Sequence, residues 1–225
     1  MMSESWDTLS IKNICTRIVS GGTPSTRKDS YYGGKIPWLR TQEINFNRIY
    51  DTDVKITEEG LNNSSAKMIP EKSVIMAMYG ATAGKVAINE ISLATNQACC
   101  NLIINQAVAD YRYVYYQLCL KYEEIANLSI GAAQQNLNVG TISNLPIHLP
   151  PLTTQKRIAD ILGTLDDKIE LNRQMNRTLE AMARAIFKSW FVDFDPVTSK
   201  MEGRDYPLPA EVLDLYPDKL VESEL

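Results

Sequence analysis

From Ile158 onward the chain repeats side chains at alternating steps of four and three: Ile158, Leu162, Leu165, Ile169, then Asn172 and Asn176, then Leu179, Ala183, Ile186 and Trp190. No other feature restricts the fold so strongly. A spacing that averages about 3.5 residues belongs to a helix whose apolar stripe stays on one side through successive heptads. Pro151 stands where a helix start tolerates proline, Thr153 or Thr154 is placed to cap the first amides, and Pro196 should halt the helix just past Asp193. About 40 residues at the helical rise make a rod of roughly 60 Å. A rod with one apolar stripe needs a partner in water, and this stripe is longer than a preceding domain of about 150 residues usually covers. Pairing with a second helix is therefore expected. Asn172 and Asn176, polar residues inside the stripe, lower its stability and fix register and partner orientation.

Before Pro150-Pro151 the pattern is different, with short β-type runs alternating with turn residues. Ser73 to Tyr79 and Lys85 to Ile91 read as strands around the Gly80-Ala81-Thr82-Ala83-Gly84 loop, and Ala98 to Asn105 reads as another buried strand. Ile36 to Arg40 is expected to be a short edge strand, because Pro37 cannot donate to a central ladder. Asp110 is placed to cap a helix with Tyr111, Val114, Leu118, Tyr122 and Ile125 on one face. Thr57 to Leu61 and Ala126 to Leu128 read as smaller helical pieces. The expectation is an α+β architecture: a globular domain over residues 1–150, a long coiled-coil-forming helix over 151–195, and an extended, acidic, proline-containing tail over 196–225 with a helical turn near Ala210 to Leu215.

Charge and reactive side chains exclude more than they suggest. The net charge of −4 hides an uneven distribution: residues 1–150 carry thirteen bases and thirteen acids, whereas 195–225 carry three bases and eight acids. Any contact with DNA must therefore come from a local face rather than a global field. Cys15, Cys99, Cys100 and Cys119 fit no zinc spacing, so reduced and mostly buried thiols are expected, with Cys99 and Cys100 on opposite faces of a strand. His148 is the only histidine, and nothing places it beside a nucleophile. The run Gly80 to Lys85 has three residues between its glycines and Val86 after the lysine, whereas a nucleotide phosphate loop needs four and a hydroxyl residue. Asp166-Asp167 and Glu123-Glu124 point about 100° apart on helices and form no shared acid–base pair. No catalytic residue, metal site or cofactor site is expected on this chain. The N-terminus reads as neither signal nor anchor and no apolar run is long enough to cross a membrane, so a cytoplasmic location is expected.

What remains is polar loop chemistry. Ser20 to Lys28 combines flexible backbone with Thr23, Arg27 and Lys28; Arg40 follows Trp38; Gly131 to Asn138 offers the carboxamides of Gln134, Gln135, Asn136 and Asn138. A tight loop at Gly80 to Gly84 presents backbone amides and Lys85 toward a phosphate. Cations suit phosphates, and carboxamides suit base edges, adenine above all. Each loop alone is a weak signal, a DNA contact or simply a solvated turn; a coiled-coil adaptor that binds another protein is a competing function, and a stand-alone methyltransferase or nuclease finds no motif here.

Taken in order, Trp6-Asp7-Thr8-Leu9, Gly22-Thr23-Pro24, Ile36-Pro37-Trp38, Gly80 to Ile88, Thr95-Asn96-Gln97, Gln135-Asn136-Leu137-Asn138, Leu149-Pro150-Pro151-Leu152 with Gln155 and Ile158, Leu165 to Ile169, Leu171-Asn172 with Asn176, and Lys188 to Pro196 resemble the specificity subunits of type I restriction–modification systems. The resemblance implies a target-recognition domain followed by a conserved spacer helix. Such subunits usually hold two domains and two helices that pair antiparallel; one of each is present here, and whether the chain is a natural half-length subunit or a piece of a longer one is left open. It further implies that Thr23, Arg27, Lys28, Arg40, Lys85, Gln97, Gln134, Gln135 and Asn136 are candidate contacts to double-stranded DNA. The expected partners are methyltransferase subunits bringing S-adenosylmethionine, and restriction or translocase subunits bringing ATP and Mg. A second copy paired through the helix, as an antiparallel homodimer, would hold two recognition domains at groove stations one or more turns of about 34 Å apart and would read a palindromic, bipartite site.

Overall fold

A computed structural model describes residues 6–130 and 136–221. The elements in chain order are β1 (Asp7–Ser10), α1 (Ile11–Ile14), β2 (Cys15–Ser20), β3 (Tyr32–Leu39), β4 (Asn47–Ile49), β5 (Lys55–Ile56), α2 (Glu58–Asn62), β6 (Met68–Ile69), β7 (Val74–Ala77), β8 (Val86–Asn89), β9 (Leu93–Thr95), β10 (Cys99–Ile104), α3 (Tyr111–Leu120), α4 (Tyr122–Ile130), α5 (Val139–Ser143), β11 (Pro146–Leu149), α6 (Leu152–Phe191), α7 (Asp195–Glu202) and α8 (Ala210–Leu213). The chain divides into two compact units, Met1–Gly163 and Thr164–Leu225, and α6 runs through the boundary.

The first unit is built on a five-stranded sheet ordered β2-β10-β7-β8-β4, antiparallel except where β4 runs parallel to β8. Its strands are apolar on every residue in places because both faces are covered. Val74, Met76, Val86, Ile88, Cys100 and Leu102 face a core shared with Ile11, Tyr113, Val114 and Leu118. Their neighbours Ile75, Ala77, Ala87 and Cys99 face a second core with Leu39, Ile44 and Leu93. Cys99 and Cys100 thus point to opposite faces, as period-two geometry requires. Burial pushes the Cys15 and Cys100 thiols up to about 12, and raises Cys99 as well.

A four-stranded sheet, β5-β3-β9-β6, packs Trp38, Ile56, Ala66 and Ala94 together. Here β3 is an interior strand, not the short edge strand expected. Pro37 is accommodated because the pairing to β9 starts only at Trp38, and because on the β5 side, where Pro37 lies opposite Lys55, the bond is made by the Trp38 amide to the Val54 carbonyl at 3.0 Å.

Local capping follows the sequence closely. The Asp110 carboxylate accepts from the amides of Arg112 and Tyr113 at 3.0 and 3.2 Å, Thr57 caps α2, and Asn138 caps α5. The helix expected from Tyr111 through Ile125 is interrupted at Lys121, and Ala126 to Leu128 belong to its second part, α4. The interruption lets Tyr122 and Ile125 close over Gly84, at which an added Cβ would meet them at 3.5 and 3.4 Å.

The long helix spans 40 residues, Leu152–Phe191. Thr153 and Thr154 lie inside its first turn, and the Pro151 carbonyl accepts from the amides of Thr154 and Gln155. In the second unit Pro196 does not simply end the helix. Phe194 takes a left-handed conformation (φ 55°), and Pro196 then occupies the first turn of α7 with Pro196, Val197 and Ser199 buried. The segment expected to be extended therefore contains α7 as well as the helical turn expected near Ala210, which is α8, and Lys200 holds it, its ammonium donating to the Tyr216 carbonyl and to Asp218.

Candidate nucleic-acid interface

The recognition-loop candidates converge through backbone bonds that tie distant loops together. Gly21 and Gly22 pass against the turn after β9: the Gly22 amide donates to the Thr95 carbonyl at 2.8 Å and the Trp38 indole N–H to the Gly22 carbonyl at 3.0 Å. An added Cβ would fall 2.2 Å from the Thr95 carbonyl oxygen at Gly21 and 2.3 Å from Ser65 backbone at Gly22, so only glycine permits the approach. Buried Asn101 donates to the Val19 carbonyl and to the Thr95 hydroxyl, locking both loops to β10. As a result the Thr23 hydroxyl donates to the Gln97 carboxamide oxygen, although 74 positions separate them.

The Asn96 amide donates to the Leu39 carbonyl at 2.9 Å, which brings Arg40 beside that pair. Its guanidinium lies 3.5 Å from both Glu43 and Asp53, so much of its charge is already matched. Arg27 and Lys28 lie on the exposed loop that follows. The Lys28 ammonium donates to the Tyr31 hydroxyl at 2.9 Å and sits over its ring, and that bond holds its pKa above the usual lysine value.

On the neighbouring turn, the amides of Ala83, Gly84 and Lys85 are consumed by the carbonyls of Gly80, Ala77 and Thr82. The expected offer of these amides to a phosphate is therefore corrected; the Lys85 side chain remains. Its ammonium donates to Asn45 Oδ1 at 2.8 Å. Met78 connects this turn to the others, its amide bonding the Ala98 carbonyl and its carbonyl accepting from Leu137. Exposed Asn136 is thereby placed next to the loop, whereas Asn138 is spent as the cap of α5. Gln134 and Gln135 lie outside the described residues.

Two groups received no structural role from the sequence, although Gln155 was among the residues that carried the resemblance. One is the pair Asn45 and Phe46 that frames Lys85. The other is the junction at the start of α6, where Gln155, Ala159 and Gly163 are buried at intervals of four. The Gln155 carboxamide accepts from the Asp110 amide at 3.0 Å and donates to the Pro150 carbonyl at 2.9 Å. Arg112 pairs with Asp160 at 2.8 Å, and Arg48 donates to the Gly163 carbonyl at 3.4 Å. Two small residues and a carboxamide on one helical face were the available signal.

The helix stripe is placed as follows. Ile158 packs in part on the head core and Leu162 is half-buried, whereas Leu165, Ile169, Asn172, Asn176, Leu179, Ala183 and Ile186 are exposed. Trp190 is half-buried, edge-on to Tyr216. Leu171, Met175 and Met182 widen the exposed apolar surface. His148 lies on β11, exposed, beside the Thr8 hydroxyl at 2.9 Å. Among the described residues no group of three His, Cys, Asp or Glu could hold a metal ion, and no helix is long and apolar enough to cross a membrane.

The chain is thus an α+β domain whose polar loops are tied together by backbone bonds, leading into a long helix with an exposed apolar stripe. The family model for the type I restriction modification DNA specificity domain matches residues 3–181, and the chain belongs to that family. It is 34% identical over 195 residues to the type I restriction enzyme MjaIX specificity subunit of Methanocaldococcus jannaschii, covering 85% of this chain and 45% of that one. Over 94 residues, 42% of this chain and 20% of the relative, it is 44% identical to the HindI specificity subunit of Haemophilus influenzae. The fold is shared with the HsdS subunit from Thermoanaerobacter tengcongensis (TM-score 0.57, 16% identity, 85% of this chain and 46% of that one). It is shared too with the type I S subunit from M. genitalium (TM-score 0.59, 16% identity, 90% and 47%). The chain thus spans less than half the length of these relatives.

Proposed function

We propose that this chain reads one half of a bipartite DNA site for a type I restriction–modification complex and carries no chemistry of its own. In this reading Thr23, Arg27, Lys28, Arg40, Lys85, Gln97, Gln134, Gln135 and Asn136 face the duplex. Lysines and arginines hold phosphates and set register, while hydroxyls and carboxamides meet base edges. The observation that carries the reading is the convergence of the Thr23, Arg40, Lys85, Gln97 and Asn136 loops, tied by backbone bonds over rigid strands. Loops held by a scaffold are where recognition side chains are positioned most reproducibly.

The uncovered stripe from Leu165 to Ile186 supports pairing of α6 with a second helix, and an antiparallel second copy would supply one with the same polar step at Asn172 and Asn176. Methyl transfer with S-adenosylmethionine, and ATP- and Mg-dependent translocation and cleavage, then belong to methyltransferase and restriction subunits docked on the assembly, in the cytoplasm. Mapping methylated sites across the genome of cells with and without this chain tests the proposal. The expected result is loss of one palindromic, gapped motif when the chain is deleted; an unchanged methylation pattern in a strain with a functional methyltransferase partner overturns it.

A further inference from the structure

Lys85 differs from Arg40 in how it is held, and like Lys28, which rests on the Tyr31 hydroxyl and ring, it has neutral partners. Arg40 is matched by Glu43 and Asp53, whereas among the described residues no carboxylate lies within ion-pair distance of Lys85. Its ammonium is fixed by two neutral groups, Asn45 Oδ1 at 2.8 Å and the Phe46 ring, whose centroid lies 5.9 Å away. These groups orient a cation without cancelling it, and an ammonium with one proton engaged keeps two to donate.

The frame itself is costly to build. Phe46 adopts φ 51°, a region that bulky side chains rarely visit, and its ring packs edge-on against Tyr122 at 5.0 Å. The Asn45 amide donates to Asn47 Oδ1, and the Asn47 amide group donates to the Glu43 carbonyl, so the turn carrying the frame is itself pinned. Conformational strain next to a half-buried, uncompensated cation is what a pre-organised anion contact requires.

We propose that Asn45 and Phe46 are positioning residues that aim Lys85 at a backbone phosphodiester of the duplex, so that Lys85 anchors the register of the recognition loops. This inference rests on the DNA-recognition reading above. Aiming and charge are separable experimentally. The full chain is titrated with a fluorescent random-sequence duplex over a range of salt concentrations, because a phosphate contact is independent of sequence and sets the salt slope. Lys85→Ala is expected to reduce the slope of log K against log salt by about 0.9, the value for one phosphate contact. Asn45→Ala and Phe46→Ala are expected to weaken binding several-fold at every salt concentration with the slope retained, since the charge is still there but no longer aimed. In the Lys85→Ala background neither should have a further effect, which a merely structural role would not reproduce. Thermal unfolding of each variant reports whether it is folded, and Asn45→Ser supplies a milder change if Phe46→Ala is not. An unchanged slope for Lys85→Ala, or equal losses from Asn45→Ala with and without Lys85, overturns the inference while leaving DNA recognition intact. Wild-type chain that shows no salt-dependent binding overturns the recognition reading and this inference with it.

Discussion

The head and the long helix use apolar residues at similar density, yet they bury them in opposite ways. In the five-stranded sheet Val74, Ile75, Met76 and Ala77 are all fully buried, because helices cover one face and the β3 to β9 region covers the other. On α6, Leu165, Leu179 and Ile186 are each about half exposed (55%, 54% and 45%) although they recur as regularly as any strand residue. The difference teaches that periodicity specifies which residues seek burial, while the supply of a covering surface decides whether one chain can provide it. The head is complete in that sense; the helix is not.

The comparison is broken most forcefully from the core. Leu102→Ala should cost about 2–5 kcal/mol, the range for emptying a packed leucine site, and is read as a fall in the urea midpoint at unchanged slope. A loss well under 1 kcal/mol would mean that the two-faced sheet is looser than its burial implies. Next in size is the junction. Gln155→Ala removes the partner of the buried Asp110 amide and of the Pro150 carbonyl, and should cost about 1–3 kcal/mol.

Replacing Asn172 and Asn176 together with leucine should raise Tm by about 2–4 °C for each kcal/mol gained and permit more than one helix register, seen as mixed species in sedimentation or native mass spectrometry. Lower stability with unchanged oligomeric behaviour would count against helix pairing. A pH test follows from the thiols. Folding raises Cys15 and Cys100 to about 12, so above the ordinary thiol value the unfolded chain sheds protons that the folded one keeps. Their contribution to stability is complete below about 9 and is lost as pH rises toward about 12. Denaturation midpoints should fall through that window, and less so in Cys15→Ala and Cys100→Ala. The smallest effect belongs to the stripe: Leu179→Ala should change the stability of dilute monomer by no more than about 0.5 kcal/mol, while measurably weakening self-association.

Much of the fold was legible because its causes are local. Asp110 caps its helix through neighbours two and three positions away, and the apolar runs on either side of Gly80 to Gly84 are strands, as read; Thr153 and Thr154, read as caps, lie inside α6, and Asn138, read as a base contact, is spent as the cap of α5. The errors came where the cause was distant. Pro37 argued for an edge, but the ladder to β9 begins one residue later and the bond on the β5 side is made by Trp38, which no local rule discloses. Lys121 ends a helix that its periodicity would continue, since Tyr122 and Ile125 are drawn onto Gly84. The long helix does end just ahead of Pro196, as read, but Pro196 also sits in the first turn of a further helix, α7, whose N-cap Phe194 takes the left-handed conformation.

The candidate interface divides along the same line. Residue type singled out Thr23, Arg40, Lys85, Gln97 and Asn136, since hydroxyls, carboxamides and cations in loops are visible in any sequence. It was silent on Asn45, Phe46, Asn101 and Gln155, whose roles exist only through what they hold. By itself the sequence determined the helix stripe, the Asp110 cap and the strands around Gly80 to Gly84, each set by residues near one another in the chain. Only the tertiary structure decided that Thr23 meets Gln97, that Arg40 is partly matched by Glu43 and Asp53, and that Lys85 is held by uncharged partners. Those pairings depend on which strands hydrogen-bond across long separations, and the free energy that selects them comes from burying whole faces rather than from any single residue's preference.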